Sequence, residues 1–250
     1  TTDLNRFRAE HFYLRLLYCF EGDETMEPPY LEKVDQRGSI AVWVVDGSYV
    51  RKNLDEEFTN FGQHYRFNFI PENEFWIDRE AAPDEQRFFV DHLLIEHRLM
   101  KKGIPYVKAL EIADRKERAE RKKAGDTPVG RAGEESDLAR VHLQLLGETE
   151  DAKTWLVDGR LVRSMFDIDF TEGGHDQVYK FVPKGEVWID NDVESDERPY
   201  ILFHELHERN LMKKGLPYNE AHGDASHLEY HLRYHPAEVS EALKKEMEKK

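Results

Sequence analysis

Val45-Asp46-Gly47 returns as Val157-Asp158-Gly159, and Trp76-Ile77-Asp78 as Trp188-Ile189-Asp190. Leu99-Met100-Lys101-Lys102-Gly103-Ile104-Pro105-Tyr106 returns as Leu211-Met212-Lys213-Lys214-Gly215-Leu216-Pro217-Tyr218. The offset is 112 residues each time, so residues 42–106 repeat as 154–218 without a gap, and 28 of the 65 aligned positions are identical. A period this long is outside the range of solenoid repeats, roughly 20–50 residues. The chain is one unit used twice. What both copies share belongs to the fold; polar residues found in only one copy are candidates for chemistry.

Each copy reads in the same order. A strand, Val42–Val45 or Thr154–Val157, ends at an Asp-Gly turn signal. An alternating segment follows, with Tyr65, Phe67 and Phe69 in one copy and Gln177, Tyr179 and Phe181 in the other. A proline leads to a short strand, Phe75–Ile77 or Val187–Ile189. A helix over about 84–102 or 196–214 stops at Gly103 or Gly215, the residue type favoured just past a helix end. Pro105 or Pro217 then opens a second helix, to about Arg121 or Tyr234. The short turn makes the two helices antiparallel neighbours. The expected fold class is α+β: two tandem homologous domains, each a small sheet followed by two antiparallel helices. The expected boundaries are a leader with a helix at 1–28, unit one at 29–123, a Gly/Pro linker at 124–136, unit two at 137–235 and a charged helix, read as a solvated tail, at 236–250.

The chain of 250 residues carries a formal net charge of −15, which disfavours nucleic acid and anionic membrane as partners. The single cysteine, Cys19, lies in an apolar run and excludes both an intramolecular disulfide and a cysteine-rich zinc site. No stretch approaches the roughly 20 apolar residues of a membrane span, and no signal peptide opens the sequence. A cytoplasmic protein is therefore expected.

The chemistry-bearing stretch is His204-Glu205-Leu206-His207-Glu208 in the first helix of unit two. His204 and Glu208 are four apart and share one helix face, the spacing that lets two side chains hold one ion. Glu205 stands beside them, where a carboxylate takes a proton from a metal-bound water. The next helix brings His222 and, seven residues on, Glu229, which offers a fourth ligand or an orienting partner. Gly173-Gly174-His175 reads as a tight turn or bulge whose histidine reaches substrate. Asp78 and Asp190, like Asp46 and Asp158, read as turn or capping residues; His207 reads as an exposed neighbour, and His227, His231 and His235 as a solvated helix end.

This arrangement resembles the zincin metallopeptidases, whose pattern is a strand at the cleft edge, a helix bearing His-Glu-x-x-His and a later helix giving the third ligand. Val187-Trp188-Ile189-Asp190 stands where the edge strand would be, and the likeness spans about residues 186–230. It departs at the second histidine, which is Glu208 here. The resemblance implies zinc held by His204, Glu208 and His222, with Glu205 as the base, and a peptide or protein substrate added as a strand along Val187–Ile189. The tandem units also resemble uncharacterised phage and microbial proteins, a likeness that brings no activity with it.

Unit one serves as an internal control. His92 and Glu96 match His204 and Glu208, and Glu117 matches Glu229, but Leu93 replaces Glu205 and Leu110 replaces His222. An inactive copy, with an apolar packed pocket near His92 and Glu96, is expected. Two other classes stay open: a non-catalytic pseudo-dimer with structural metal or none, and a metal-storing or metal-sensing module using the histidines of the second helix.

Overall fold

In the computed structural model residues 27–125 and 135–249 are described. The expected N-terminal helix, Cys19 and most of the linker lie outside them. Unit one comprises β1 (Tyr30–Arg37), β2 (Ile40–Val45), α1 (Gly47–Asn53), β3 (Phe61–Gln63), β4 (Glu74–Asp78), α2 (Gln86–Lys101) and α3 (Tyr106–Ala124). After α4 (Glu135–Val141), unit two repeats that order: β5 (His142–Glu148), β6 (Lys153–Val157), α5 (Gly159–Met165), β7 (Gly173–His175), β8 (Glu186–Asp190), α6 (Arg198–Lys213) and α7 (Tyr218–Tyr234). A 3₁₀ turn, Pro236–Glu238, then leads into α8 (Val239–Glu248).

The sheets run β1-β2-β4-β3 and β5-β6-β8-β7. β2 and β4 are parallel with Trp43 opposite Trp76, and β6 and β8 are parallel with Trp155 opposite Trp188. Alternation along the inner strands sends side chains to two different cores. Phe75 and Ile77 pack with Phe89, Val90 and Leu93 under α2, while Trp76 packs on the other face with Val50, Phe58, Phe67 and Ile70. Unit two does the same with Val187 and Ile189 against α6 and Trp188 against Val162 and Phe170. The architecture is α+β in two tandem sheet–helix units.

Local chemistry fixes the elements. Asp46 caps α1 by accepting the Tyr49 N–H at 3.0 Å, and Asp158 caps α5 by accepting that of Leu161 at 2.9 Å. The turn between α6 and α7 closes with Gly215 at φ 93°, Gly215 N–H on Met212 O at 2.9 Å and Leu216 N–H on Leu211 O at 3.2 Å. That pair of bonds satisfies carbonyls the helix end would leave open, and needs the left-handed residue that glycine supplies.

Two expectations are corrected. Val187–Ile189 is not an edge strand: β8 lies between β6 and β7, with hydrogen-bonding neighbours on both sides. The edge strand beside it is β7, Gly173-Gly174-His175, a run without strand propensity. The alternating aromatics at 65–69 lie in turns, with Arg66 and Phe67 N–H groups both on Gln63 O, and the rings of Phe67, Phe69 and Trp76 meet at tilted angles. The C-terminal segment is not a solvated tail. Val239, Ala242, Leu243 and Met247 make a helical stripe that packs on Phe203, Leu206 and Val187. No helix among the described residues is long and apolar enough to cross a membrane.

The units meet through two reciprocal ion clusters. Glu85 of unit one accepts from Arg163 of unit two and from Arg121 at 2.5 Å. Glu197 of unit two accepts from Arg51 of unit one at 3.3 Å and from Arg233 at 2.5 Å. Arg51 also pairs with Asp78 at 2.7 Å, and Arg163 pairs with Asp190 at 2.5 Å. Asp78 and Asp190 thus hold an arginine as well as their own turns, where they accept the N–H of Glu80 and Asp192.

Candidate metal centre

α6 carries His204, Glu205 and Glu208 on its buried side, α7 lies antiparallel to it with His222 facing back, and β7 presents His175 from the sheet edge. Glu208 Oε2 is 2.8 Å from His222 Nδ1 and 3.6 Å from His204 Nε2, and the two ring nitrogens are 3.1 Å apart. Ligand atoms about 2.0–2.1 Å from one tetrahedral ion stand roughly 3.3 Å from each other, so this donor set fits a single ion without rearrangement. His204, Glu208 and His222 form a group that can hold a metal ion.

His204 and Glu208 have their other polar atom hydrogen-bonded, and that of His222 faces a carboxylate. His204 Nδ1 donates to Glu229 Oε2 at 2.9 Å, leaving Nε2 to face the cluster. Glu208 Oε1 accepts from His175 Nε2 at 2.8 Å, leaving Oε2 inward. His222 Nε2 faces Glu57 Oε2 of unit one at 3.6 Å. Glu229 therefore takes the orienting place of the two the sequence leaves open, behind His204 instead of at the ion, and Arg233 fixes its other oxygen at 2.7 Å.

His175 is fully buried and does not meet solvent, contrary to the expectation that it reaches substrate. A second group, His175, Glu205 and Glu208, also lies within 4.8 Å. His175 is not free to ligate there: its Nδ1 accepts the Gln177 N–H at 3.1 Å, so its proton sits on Nε2, the atom that faces Glu208. His175 is a donor that sets the Glu208 carboxylate. Gly174 lets the Tyr179 ring lie close against β7, because a Cβ there would be 2.5 Å from it. Gly173 likewise leaves room for Glu205, whose Cγ would be 3.0 Å from an added Cβ.

Charges follow from this packing. Burial opposes charge on His204, yet hydrogen bonds to Glu208 and Glu229 hold its pKa well above the usual histidine value. Glu208 and Glu57 raise His222 to about 9. Burial pushes Glu208 up, but His175, His204 and His222 together bring it far below the usual carboxylate range. Burial raises Glu229 too, and His204 and Arg233 overcome it, to about 2. Glu205 differs from these: burial raises its pKa, and among the described residues it has no hydrogen-bond or ion-pair partner. A carboxylate beside a donor cluster, unpaired and with raised proton affinity, is suited to taking a proton.

Unit one keeps the frame and two of the three donors, and loses the third donor and the unpaired carboxylate. His92 Nδ1 is on Glu117 Oε2 at 2.9 Å, and Gln63 donates to Glu96 Oε1 at 2.6 Å, in the place of the His175–Glu208 contact. Leu93 and Leu110 occupy the positions of Glu205 and His222. Its pocket is not the packed apolar one expected. A cavity of about 230 Å³ remains, walled by Phe89, Leu93 and Leu110 but also by His92, Glu96 and Asp169. Glu117, behind His92, also accepts from Arg121 at 2.9 Å.

His207 is corrected as well: it is buried, with Nδ1 on Glu246 of α8 at 2.8 Å and Nε2 on Asp224 at 3.0 Å. His231 and His235 stack at the exposed end of α7, as expected. Sequence reading missed Glu57 and Arg233. Their only signal was an acidic residue at both matching positions, Glu57 and Asp169, and an arginine at both Arg121 and Arg233. Comparison with protein-family models, characterised proteins and solved structures finds no match to this chain.

Proposed function

We propose that unit two is a zinc-dependent hydrolase of peptidase type, and that unit one is catalytically silent. His204 Nε2, Glu208 Oε2 and His222 Nδ1 would hold the ion, and three protein donors instead of four are the mark of a catalytic rather than structural site. A bound ion of this kind polarises a carbonyl and lowers the pKa of its water. Glu205 takes the proton of the attacking water and returns it to the leaving amine. The observation that carries this reading is the set of three donor atoms, each backed by a partner on its far side, with an unpaired carboxylate next to them.

The ligand helix and the antiparallel helix after it support a zincin-like reading of the site. The substrate strand does not, because β8 has no free edge for a peptide. One observation favours a second reading, a purely structural network: unit one retains His92, Glu96 and Glu117 with no third ligand.

Metal analysis of the purified chain decides between them. The hydrolase reading expects about one zinc per chain, lost in His204→Ala and kept in Glu205→Gln. Glu205→Gln should lower cleavage of a peptide library by about 10²–10⁴-fold, the usual worth of a general base. A chain that binds no zinc overturns this reading. Zinc bound with no hydrolysis in the wild type supports a structural ion.

A further inference from the structure

We propose that Glu57, supplied by unit one, is a positioning residue for His222, so that the metal centre of unit two is built across both repeats. This rests on the zinc reading above. His222 Nδ1 is the atom that faces Glu208 Oε2 and His204 Nε2, so Nδ1 is the ligating atom. An imidazole that ligates through Nδ1 must carry its proton on Nε2, and that N–H needs an acceptor to fix the ring. Glu57 Oε2 is the carboxylate oxygen on that side, at the ion-pair distance of 3.6 Å. Both side chains are partly exposed, 45% for Glu57 and 32% for His222, which leaves room to close to hydrogen-bond distance when the proton is fixed on Nε2. The Tyr218 ring stacked on the imidazole limits its other motions.

A second, independent observation shows that the crossing belongs to the fold. Asp169 is the counterpart of Glu57, and it crosses to unit one: it walls the cavity there beside Asp114 and Leu110, a cavity that Glu57 borders as well. The segments after α1 and α5 therefore exchange acidic residues between the units. Of the two acidic residues only Glu57 faces an imidazole across the units, because unit one has Leu110 where unit two has His222. Unit one is then more than a silent repeat. It holds one end of a ligand that its partner needs.

Zinc affinity of the full chain, measured by competition with a chromogenic chelator, tests this. Glu57→Ala should weaken zinc binding by about 10–100-fold, the usual effect of removing an orienting partner. Glu57→Gln keeps an amide oxygen as acceptor and should restore most of that loss. The zinc-free thermal midpoint should be the same in both variants, which separates positioning from folding. If Glu57→Ala binds zinc as tightly as the wild type, or if Glu57→Gln is as weak as Glu57→Ala, the inference is wrong while the zinc reading stands. If the wild type itself binds no zinc, both are wrong.

Discussion

His175 illustrates how a single proton decides a residue's role. Its Nδ1 accepts from the backbone of Gln177, so Nε2 carries the hydrogen and can only donate to Glu208. Unit one does the same with a glutamine amide, Gln63 to Glu96 at 2.6 Å. Exchange between the copies is therefore a sharp test. His175→Gln should keep zinc affinity near the wild-type value, because a donor still reaches Glu208. His175→Leu removes the donor and should weaken zinc by about 10–100-fold. Chelator competition on the two variants checks this. Were His175 a ligand, glutamine would fare as badly as leucine.

At the scale of elements, α8 is held to α6 by a small buried set as well as by its apolar stripe. Glu246 accepts from His207 at 2.8 Å and from Asn210 at 3.1 Å, with Lys249 near it; His207 also meets Asp224 and stacks on Phe203. Burial opposes charge on His207, but Glu246 and Asp224 raise its pKa above 6.5. Burial pushes Glu246 up, and His207, Lys249 and Asn210 bring it down to about 2. A raised histidine contributes stability that is full below its unfolded value of 6.5 and fades as pH rises through the folded value. A lowered glutamate contributes above its unfolded value of 4.5 and fades as pH falls toward about 2. Amide exchange in 239–248 should thus be slowest between pH 4.5 and 6.5 and quicken, relative to intrinsic rates, on either side. His207→Ile, the residue type at position 95 of unit one, should abolish the change on the alkaline side. Elements of this kind are where sequence reading ran short. The paired helices and their glycine turns were legible, because period 3.6, Gly103 or Gly215 and the following proline all agree. β7 was hidden, since its glycines serve the close approach of Tyr179 and Glu205 and give no strand signal. The helix at the C-terminus was legible but its burial was not, because its lysines and glutamates outnumber the apolar residues of its buried stripe. Of the candidate site, His204, Glu208 and His222 were legible from helix spacing, whereas Glu57 was not, because contact between repeats leaves no trace in the periodicity of either.

For the whole molecule, the two reciprocal clusters are alike in build but unlike in what lies behind them. Glu197 joins Arg51 of unit one to Arg233, and Arg233 holds Glu229, which in turn orients His204. Glu85 joins Arg163 of unit two to Arg121, and Arg121 holds Glu117 behind His92, where no third ligand exists. Removing either glutamate leaves two buried arginines short of a counter-charge, a loss of about 3–5 kcal/mol in pairs of this kind. Glu85→Ala and Glu197→Ala should therefore lower the urea midpoint of the zinc-free chain by similar amounts. Their effects on the metal centre should differ. Glu197→Ala frees Arg233 to turn from Glu229 and should weaken zinc binding, whereas Glu85→Ala should leave it within a few-fold of wild type. Zinc that binds only the folded chain stabilises it by about 2.7 kcal/mol at 100 times the dissociation constant. The same loss then appears as a smaller zinc-dependent rise in thermal midpoint for Glu197→Ala alone. Equal loss of zinc affinity in both variants would mean that the interface acts on the site through general loosening and not through the Glu197–Arg233–Glu229 chain.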